Sequence, residues 1–275
     1  MSTTRHFLST AIPYVNGSPH IGHAQEFVIA DALARHRRRA GTAVRFQSGT
    51  DDNSLKSARA AAAAGVSPTV LVARHALEFQ EVAESLDVRF DDFVRTSADV
   101  RHAPAVVRLW KACEDAGDLE RRAYRGLYCA GCEQFFSEGE LPDDRCPEHA
   151  APLEVVEEEN YFFRASRYGE TIRKAIESGT LRVEPAERRR EALRFLKGGL
   201  RDFSVSRSSA RANDWGIRVP GDPGQVIYVW FDALANYIST LGYATSAPTF
   251  AEYWEGARER THVIGKGVLR FHAAH

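Results

Sequence analysis

The sequence predicts an α/β fold, a parallel sheet with helices on its faces, interrupted by a small cysteine-bearing module. Three observations predict it. Short β-rich runs alternate with longer helical patterns over the first hundred residues, which is the β-α-β-α-β order of a parallel sheet. Three of the four cysteines crowd into one stretch. The patterning changes near Leu119 and turns strand-like again after Pro220. The chain has 275 residues, 44% of them hydrophobic, enough for an ordinary core and too many for wholesale disorder.

Each element has a local cause. Phe7–Ile12 is β-rich and is stopped by Pro13 and the Asn16-Gly17 turn. A helix is expected from about Pro19 to Ala40, with Ile21, Ala24, Phe27, Val28, Ala32 and Leu33 at helical spacing and Gly41 ending it. Val44–Ser48 reads as a second strand. Asp51–Asn53 can cap a helix over Ser54–Ala64, which Gly65 terminates. A helix over Ser67–Leu86 leads to a third strand near Asp92–Thr96, and Val106–Asp115 is helical, with Cys113 as a small buried residue. Beyond Leu119, alternation at Ala123–Cys129 and the acidic run Glu154–Asn160 form a separate module, and helices over Ser166–Glu177 and Glu187–Leu200 lead out of it. Val226–Phe231 and Thr261–Gly265 then read as strands, and Val268–His275 as an apolar helix cut off in mid-turn.

The cysteine spacing carries chemistry. Cys129-Ala130-Gly131-Cys132 is followed after thirteen residues by Cys146-Pro147-Glu148-His149. Two such knuckles can bring three thiolates and one imidazole to a closed tetrahedral shell, a structural zinc site. The alternative is two unrelated turns that contain cysteine.

A second pattern lies where the first strand meets the first helix. His20 and His23, three apart, share one helix face and can both donate to an anion, and the helix N-terminus adds partial positive charge. Gly22 between them leaves room for a flat ring against the backbone. Two surface histidines at a helix start are the plain alternative.

Ala11–His23 resembles the first (HIGH-type) signature of class I aminoacyl-tRNA synthetases. Further stretches narrow the resemblance to the methionyl-tRNA synthetase family: Gly49-Thr50-Asp51-Asp52, Arg125-Gly126-Leu127-Tyr128-Cys129, Asn160-Tyr161-Phe162-Phe163, Val205-Ser206-Arg207, Trp215-Gly216-Ile217, Tyr228-Val229-Trp230-Phe231-Asp232-Ala233 and Ile264-Gly265-Lys266. The resemblance implies a Rossmann-type domain in two parts, residues 1–117 and 224–275, split by a connective-peptide insertion over residues 118–223 that carries the zinc knuckle. It implies that an amino acid, methionine by the match, reacts with ATP (and magnesium) to give an aminoacyl-adenylate before transfer to tRNA. His20, His23, Arg207 and Lys266 would be catalytic. His20, Gly22, His23 and Gly265 would bind ATP. Ile12, Tyr14, Asp51, Trp230, Ala233, Tyr237 and His272 would hold the amino acid, with Asp51 on its α-ammonium. Asp51 as a helix cap, and Trp230 and Tyr237 as core aromatics, are the alternatives.

The pattern is broken in three places. Asn53-Ser54 stands where the family usually has histidine and glycine. Gly267 stands where it has the acid that holds the ATP ribose. The chain ends at His275, before the family's fifth strand, its lysine-rich second signature and its anticodon-binding domain, so a fragment is expected. A tRNA-independent relative that activates an amino acid for secondary metabolism, of the hydrazine-forming type, is the alternative, and a non-catalytic paralogue is another.

Charge narrows the field of partners. With 37 acidic and 36 basic side chains there is no global electrostatic pull toward nucleic acid or acidic membrane. The clusters Arg35–Arg39 and Arg188–Arg190 read as solvated helix faces rather than an RNA site. No apolar run is long enough for a membrane span and no secretory signal leads the chain, so a cytoplasmic protein is expected.

Overall fold

The computed structural model describes residues 4–129, 134–136, 145–146 and 152–274. Strands β1 (Arg5–Thr10), β2 (Ala43–Thr50) and β3 (Asp92–Arg95) are joined through helices α1 (Ile21–Arg39), α2 (Leu55–Ala63) and α3 (Pro68–Ser85). After α4 (His102–Asp115) come β4 (Leu119–Cys129), β5 (Gln134–Phe136), β6 (Glu154–Phe163), α5 (Gly169–Ser178) and α6 (Ala186–Lys197). Short strands β7 (Phe203–Ser204), β8 (Ser206–Ser208), β9 (Arg218–Val219) and β10 (Asp222–Ile227) follow. Helices α7 (Val229–Leu234), α8 (Asn236–Ser239) and α9 (Pro248–Phe250), strand β11 (Glu259–Val263) and helix α10 (Leu269–Ala274) complete the described chain.

The expected parallel sheet is present, in the order β11-β1-β2-β3. Leu8 sits opposite Phe46 on one side and Thr261 on the other. The order reverses between β1 and β11, so a crevice opens beyond the carboxyl ends of those two strands, where ligands bind in open α/β sheets. Phe27 of α1 and Phe79 of α3 pack with Leu8, Val44 and Phe46 in one fully buried cluster. Burial of each large side chain stabilises by about 1.5–3 kcal/mol, against roughly 1 kcal/mol for a helix cap. Packing on the sheet, rather than capping, holds α1 in place.

Two further sheets are antiparallel, β5-β4-β6-β7 and β8-β10-β9. The acidic run at 154–160 lies along β6 beside the basic strand β4, with Arg121 against Glu159 at 3.0 Å and Arg125 against Glu157 at 3.3 Å. Such exposed pairs add little stability, but opposite charges across a ladder favour this pairing over its alternatives. The arginine clusters are answered inside the chain: Arg35 by Asp31, Arg37 by Glu259, Arg38 by Asp91, Arg188 by Glu191 and Arg190 by Glu187.

Several local expectations are corrected. Val226–Phe231 is not one strand. Ile227 ends β10, where its N–H donates to Ile217, and the chain coils into α7 so that Trp230 and Phe231 are helical. An apolar run of this length fits a buried strand or a buried helix equally well, and packing decided it. Thr261–Gly265 shifts two residues earlier, to Glu259–Val263. Pro19 precedes the first helix rather than opening it, because His20 takes the N-cap position. Asp51–Asn53 do not cap α2. Ser54 does, its Oγ accepting from the Ser57 N–H at 3.0 Å. The expected terminal apolar helix is present as α10, and its Leu269 and Ala273 are buried with Ile176 and Leu196 of α5 and α6. Cys113 is only half-buried, and burial lifts its thiol to about 11.

Candidate active site

A cavity of about 450 Å³ occupies the crevice at the sheet's carboxyl edge. Its floor comes from the chain leaving β1, at Ile12 and Tyr14, and from Asp51 just beyond β2. Asp51 donates its N–H to the Pro13 carbonyl at 2.8 Å, and Tyr14 and Asp51 form a parallel bridge. The chain beyond β1 is thereby tied to the chain beyond β2, and Asp51 is buried at the cavity.

The N-terminus of α1 forms one side. The Gly22 N–H donates to Nδ1 of His20 at 3.1 Å, and the His20 N–H donates to Nδ1 of His23 at 3.2 Å. The two rings stack with centroids 3.8 Å apart. This is a reciprocal capping box built from two histidines. Because each Nδ1 accepts, a neutral ring carries its proton on Nε2 and offers that N–H as donor. Burial, reinforced by His20, lowers His23 to about 4, so it donates as a neutral imidazole at neutral pH. A Cβ at Gly22 would stand 2.9 Å from Cε1 of His20, so the glycine makes room for the capping ring itself.

The other side is aromatic. Trp230 of α7 stacks face to face on Phe271 at 3.7 Å and meets Tyr14 edge-on at 6.3 Å. Tyr237 of α8 and His272 of α10 share a hydrogen bond of 2.7 Å, and Ala233 and Leu234 also line the cavity. Burial lowers His272 and holds His262, behind Tyr237, at about 3. Both imidazoles are neutral at neutral pH, which keeps this wall apolar in character.

The family model described as tRNA synthetases class I (M) matches residues 6–152 and 138–275 of this chain. The chain belongs to the class I aminoacyl-tRNA synthetases, in the methionyl-tRNA synthetase family. Its similarity to individual members is high. The methionine–tRNA ligase of Rhizobium meliloti is 43% identical over 279 residues, covering 99% of this chain and 52% of that protein. The Mycobacterium bovis enzyme is 41% identical over 275 residues, covering 98% and 52%. Among solved structures, Mycobacterium tuberculosis methionyl-tRNA synthetase in complex with methionyl-adenylate superposes with a TM-score of 0.91 at 40% identity, covering 99% of this chain and 53% of that one. The apo form of the same protein gives 0.82. The chain spans about half the length of the curated relatives it matches.

Within this synthetase fold, the site residues expected from the sequence are distributed unevenly. Ile12, Tyr14, His20, Gly22, His23, Asp51, Trp230, Ala233, Tyr237, Gly265 and His272 all line the one cavity. Arg207 does not. It is buried on β8, with its guanidinium 4.1 Å from the Tyr228 ring, and donates to Ser204 Oγ at 3.0 Å and to the Ser206 carbonyl at 2.8 Å. Lys266 is exposed and lies outside the lining, although Gly265 and Gly267 on either side belong to it. Asn53 is also outside, its amide donating to Asp232 at 2.7 Å. Of the four expected metal ligands, Cys129 and Cys146 are buried, and Cys132 and His149 lie outside the described residues. Among the described residues no group of three or more potential ligands is placed to hold a metal.

Among the lining residues that escaped sequence reasoning, Glu26 is the ionisable one. Glu26 accepts from the Ala11 N–H at 2.8 Å and from the Gly265 backbone, linking the chain beyond β1 to the chain beyond β11. Burial pushes its carboxyl up to about 7. A signal existed: Glu26 follows His23 by three residues, on the face that already carried both histidines.

Proposed function

We propose that this chain carries the amino-acid-activating site of a methionyl-tRNA synthetase-type ligase. The observation that carries the reading is the single cavity in which a helix N-terminus with two imidazole donors faces a buried carboxylate and an aromatic wall. In the reaction a carboxylate oxygen of methionine attacks the α-phosphorus of ATP, the bond to the bridging oxygen breaks, and pyrophosphate leaves. The Nε2–H groups of His20 and His23 and the N-terminus of α1 would stabilise the charge that grows on the phosphate oxygens, from positions held before reaction. Asp51 would pair with the α-ammonium group through a charge-assisted bond. Trp230, Tyr14, Tyr237 and His272 would surround the thioether, which makes favourable contacts with aromatic edges. The methionyl-adenylate held by the similar Mycobacterium tuberculosis structure supports this product.

Arg207 acts in this reading behind the site, holding Tyr228 two residues before Trp230, and Lys266 acts from the cavity rim. ATP would enter with magnesium. The insertion over residues 118–223 would hold one structural zinc through Cys129, Cys132, Cys146 and His149, since three thiolates and an imidazole are the donor set that ion favours. Transfer to tRNA, the cytoplasmic setting and anticodon reading belong to the same proposal for the whole enzyme.

The test is calorimetry with methionine and ATP, followed by methionine-dependent exchange of pyrophosphate into ATP. Binding of both substrates with exchange supports the reading. Exchange driven by a different amino acid, with no charging of tRNA, would favour the tRNA-independent alternative. Binding of neither substrate would reject a ligase site here.

A further inference from the structure

Behind the aromatic wall lies a polar chain that the cavity does not expose. Asp232 of α7 is completely buried, and both of its carboxylate oxygens are engaged. Oδ2 accepts from the Asn53 amide at 2.7 Å, and Oδ1 meets Nε2 of His102 on α4 at 2.5 Å. The other His102 nitrogen contacts Ser239 Oγ of α8 at 3.1 Å, and Ser239 donates to the Asn236 carbonyl. His102 and Ser239 are fully buried as well. None of Asn53, Asp232, His102 and Ser239 lines the cavity.

Their neighbours in the chain do line it. Asn53 follows Asp51 by two residues. Asp232 lies between Trp230 and Ala233, and Ser239 follows Tyr237 by two. The carboxylate floor and the aromatic wall belong to segments far apart in sequence, and this chain spans the gap between them. Buried groups of this kind are costly to leave unpaired, so the arrangement is held to one geometry.

We infer that Asp232 is a positioning residue, which together with Asn53 and His102 fixes the distance between Asp51 and the Trp230–Tyr237 wall and thereby sets which amino-acid side chain the cavity accepts. The inference rests on the amino-acid site proposed above. The brace touches no substrate. It acts by preventing the wall from shifting to fit shorter or branched side chains.

The test uses the chain with three changes and measures affinity for methionine and for leucine. Asn53→Asp sets two buried carboxylates against each other, and Asp232→Ala removes the brace. Each is expected to weaken methionine binding about tenfold or more and to narrow the methionine-to-leucine ratio. The combined Asn53→Asp and Asp232→Asn change restores a donor facing an acceptor, with the carboxylate on the opposite side of the bond. It is expected to recover methionine affinity to within about threefold and to restore the ratio, a non-additive result that separate structural defects do not produce. Single variants that bind with unchanged affinity and ratio overturn the inference. So does a double variant that is unfolded or no better than Asn53→Asp. Failure of the unsubstituted chain to bind methionine would instead reject the site itself, and the inference with it.

Discussion

Tyr237 donates its hydroxyl proton to Nε2 of His272 across 2.7 Å, and the direction of that bond is set by the other ring nitrogen, which faces the Val268 carbonyl at 2.9 Å. A carbonyl only accepts, so Nδ1 carries the hydrogen and Nε2 is left to accept. The pair joins α8 to α10 across one side of the cavity. Tyr237→Phe keeps the ring and removes the donor, leaving a buried acceptor unmet at a cost of roughly 1–3 kcal/mol. The expected result is a drop in melting temperature of several degrees, with weaker methionine binding by calorimetry. Burial lowers His272, so the unfolded chain takes up this proton first as pH falls below about 6.5, and the contribution is lost on acidification.

Glu26 gives a pH signature of opposite sign. Its carboxyl stands at about 7 in the folded chain against an ordinary 4.5, so the native state binds the extra proton between those values. Stability from this group is present below about pH 4.5, declines as pH rises and is gone above about pH 7, a change on the order of 3 kcal/mol. Glu26→Gln keeps an acceptor for the Ala11 and Gly265 N–H groups and removes the titration. Denaturant melts from pH 4.5 to 8 should show the variant gaining on its parent as pH rises. Parallel curves would contradict the assignment.

Gly22→Ala separates stability from function. Alanine favours a helix over glycine by about 1 kcal/mol, which offsets the loss of the His20 cap, worth about the same. The melting temperature should therefore barely move. The added methyl displaces the His20 ring, and loss of one preorganised donor should lower pyrophosphate exchange roughly 10²-fold. An unchanged exchange rate would remove His20 from the chemistry.

Gly267 offers a gain-of-function test. It lines the cavity, and a Cβ there meets nothing within 4 Å. Gly267→Asp has room for an acceptor toward a nucleotide ribose, worth about one hydrogen bond to a charged group. ATP affinity is expected to rise about tenfold, read by calorimetry at fixed magnesium. No gain, with the fold intact, would show that the ribose lies elsewhere.

Much was legible in the sequence because it rests on local rules. Helix α1 followed from apolar spacing, the parallel sheet from the order of its elements, and the grouping of His20, Gly22 and His23 from their place between strand and helix. Glu26 was missed because its spacing from His23 marks a shared helix face but not the burial that other segments impose on it. Arg207 was expected at the cavity by resemblance, yet its cation lies over Tyr228. The run 226–231 was misread because six apolar residues suit a strand or a buried helix until their partners are known.

The sequence by itself determined the periodic elements, the anion-suited helix start and the cysteine spacing, since each depends on residues within a few positions of one another. Only the tertiary structure decided which way Trp230 faces, that Ser54 rather than Asp51 caps α2, and that Asn53 meets Asp232 across 179 positions of chain. Those outcomes depend on burial and on the hydrogen-bond partners left after packing, and neither exists until distant segments meet.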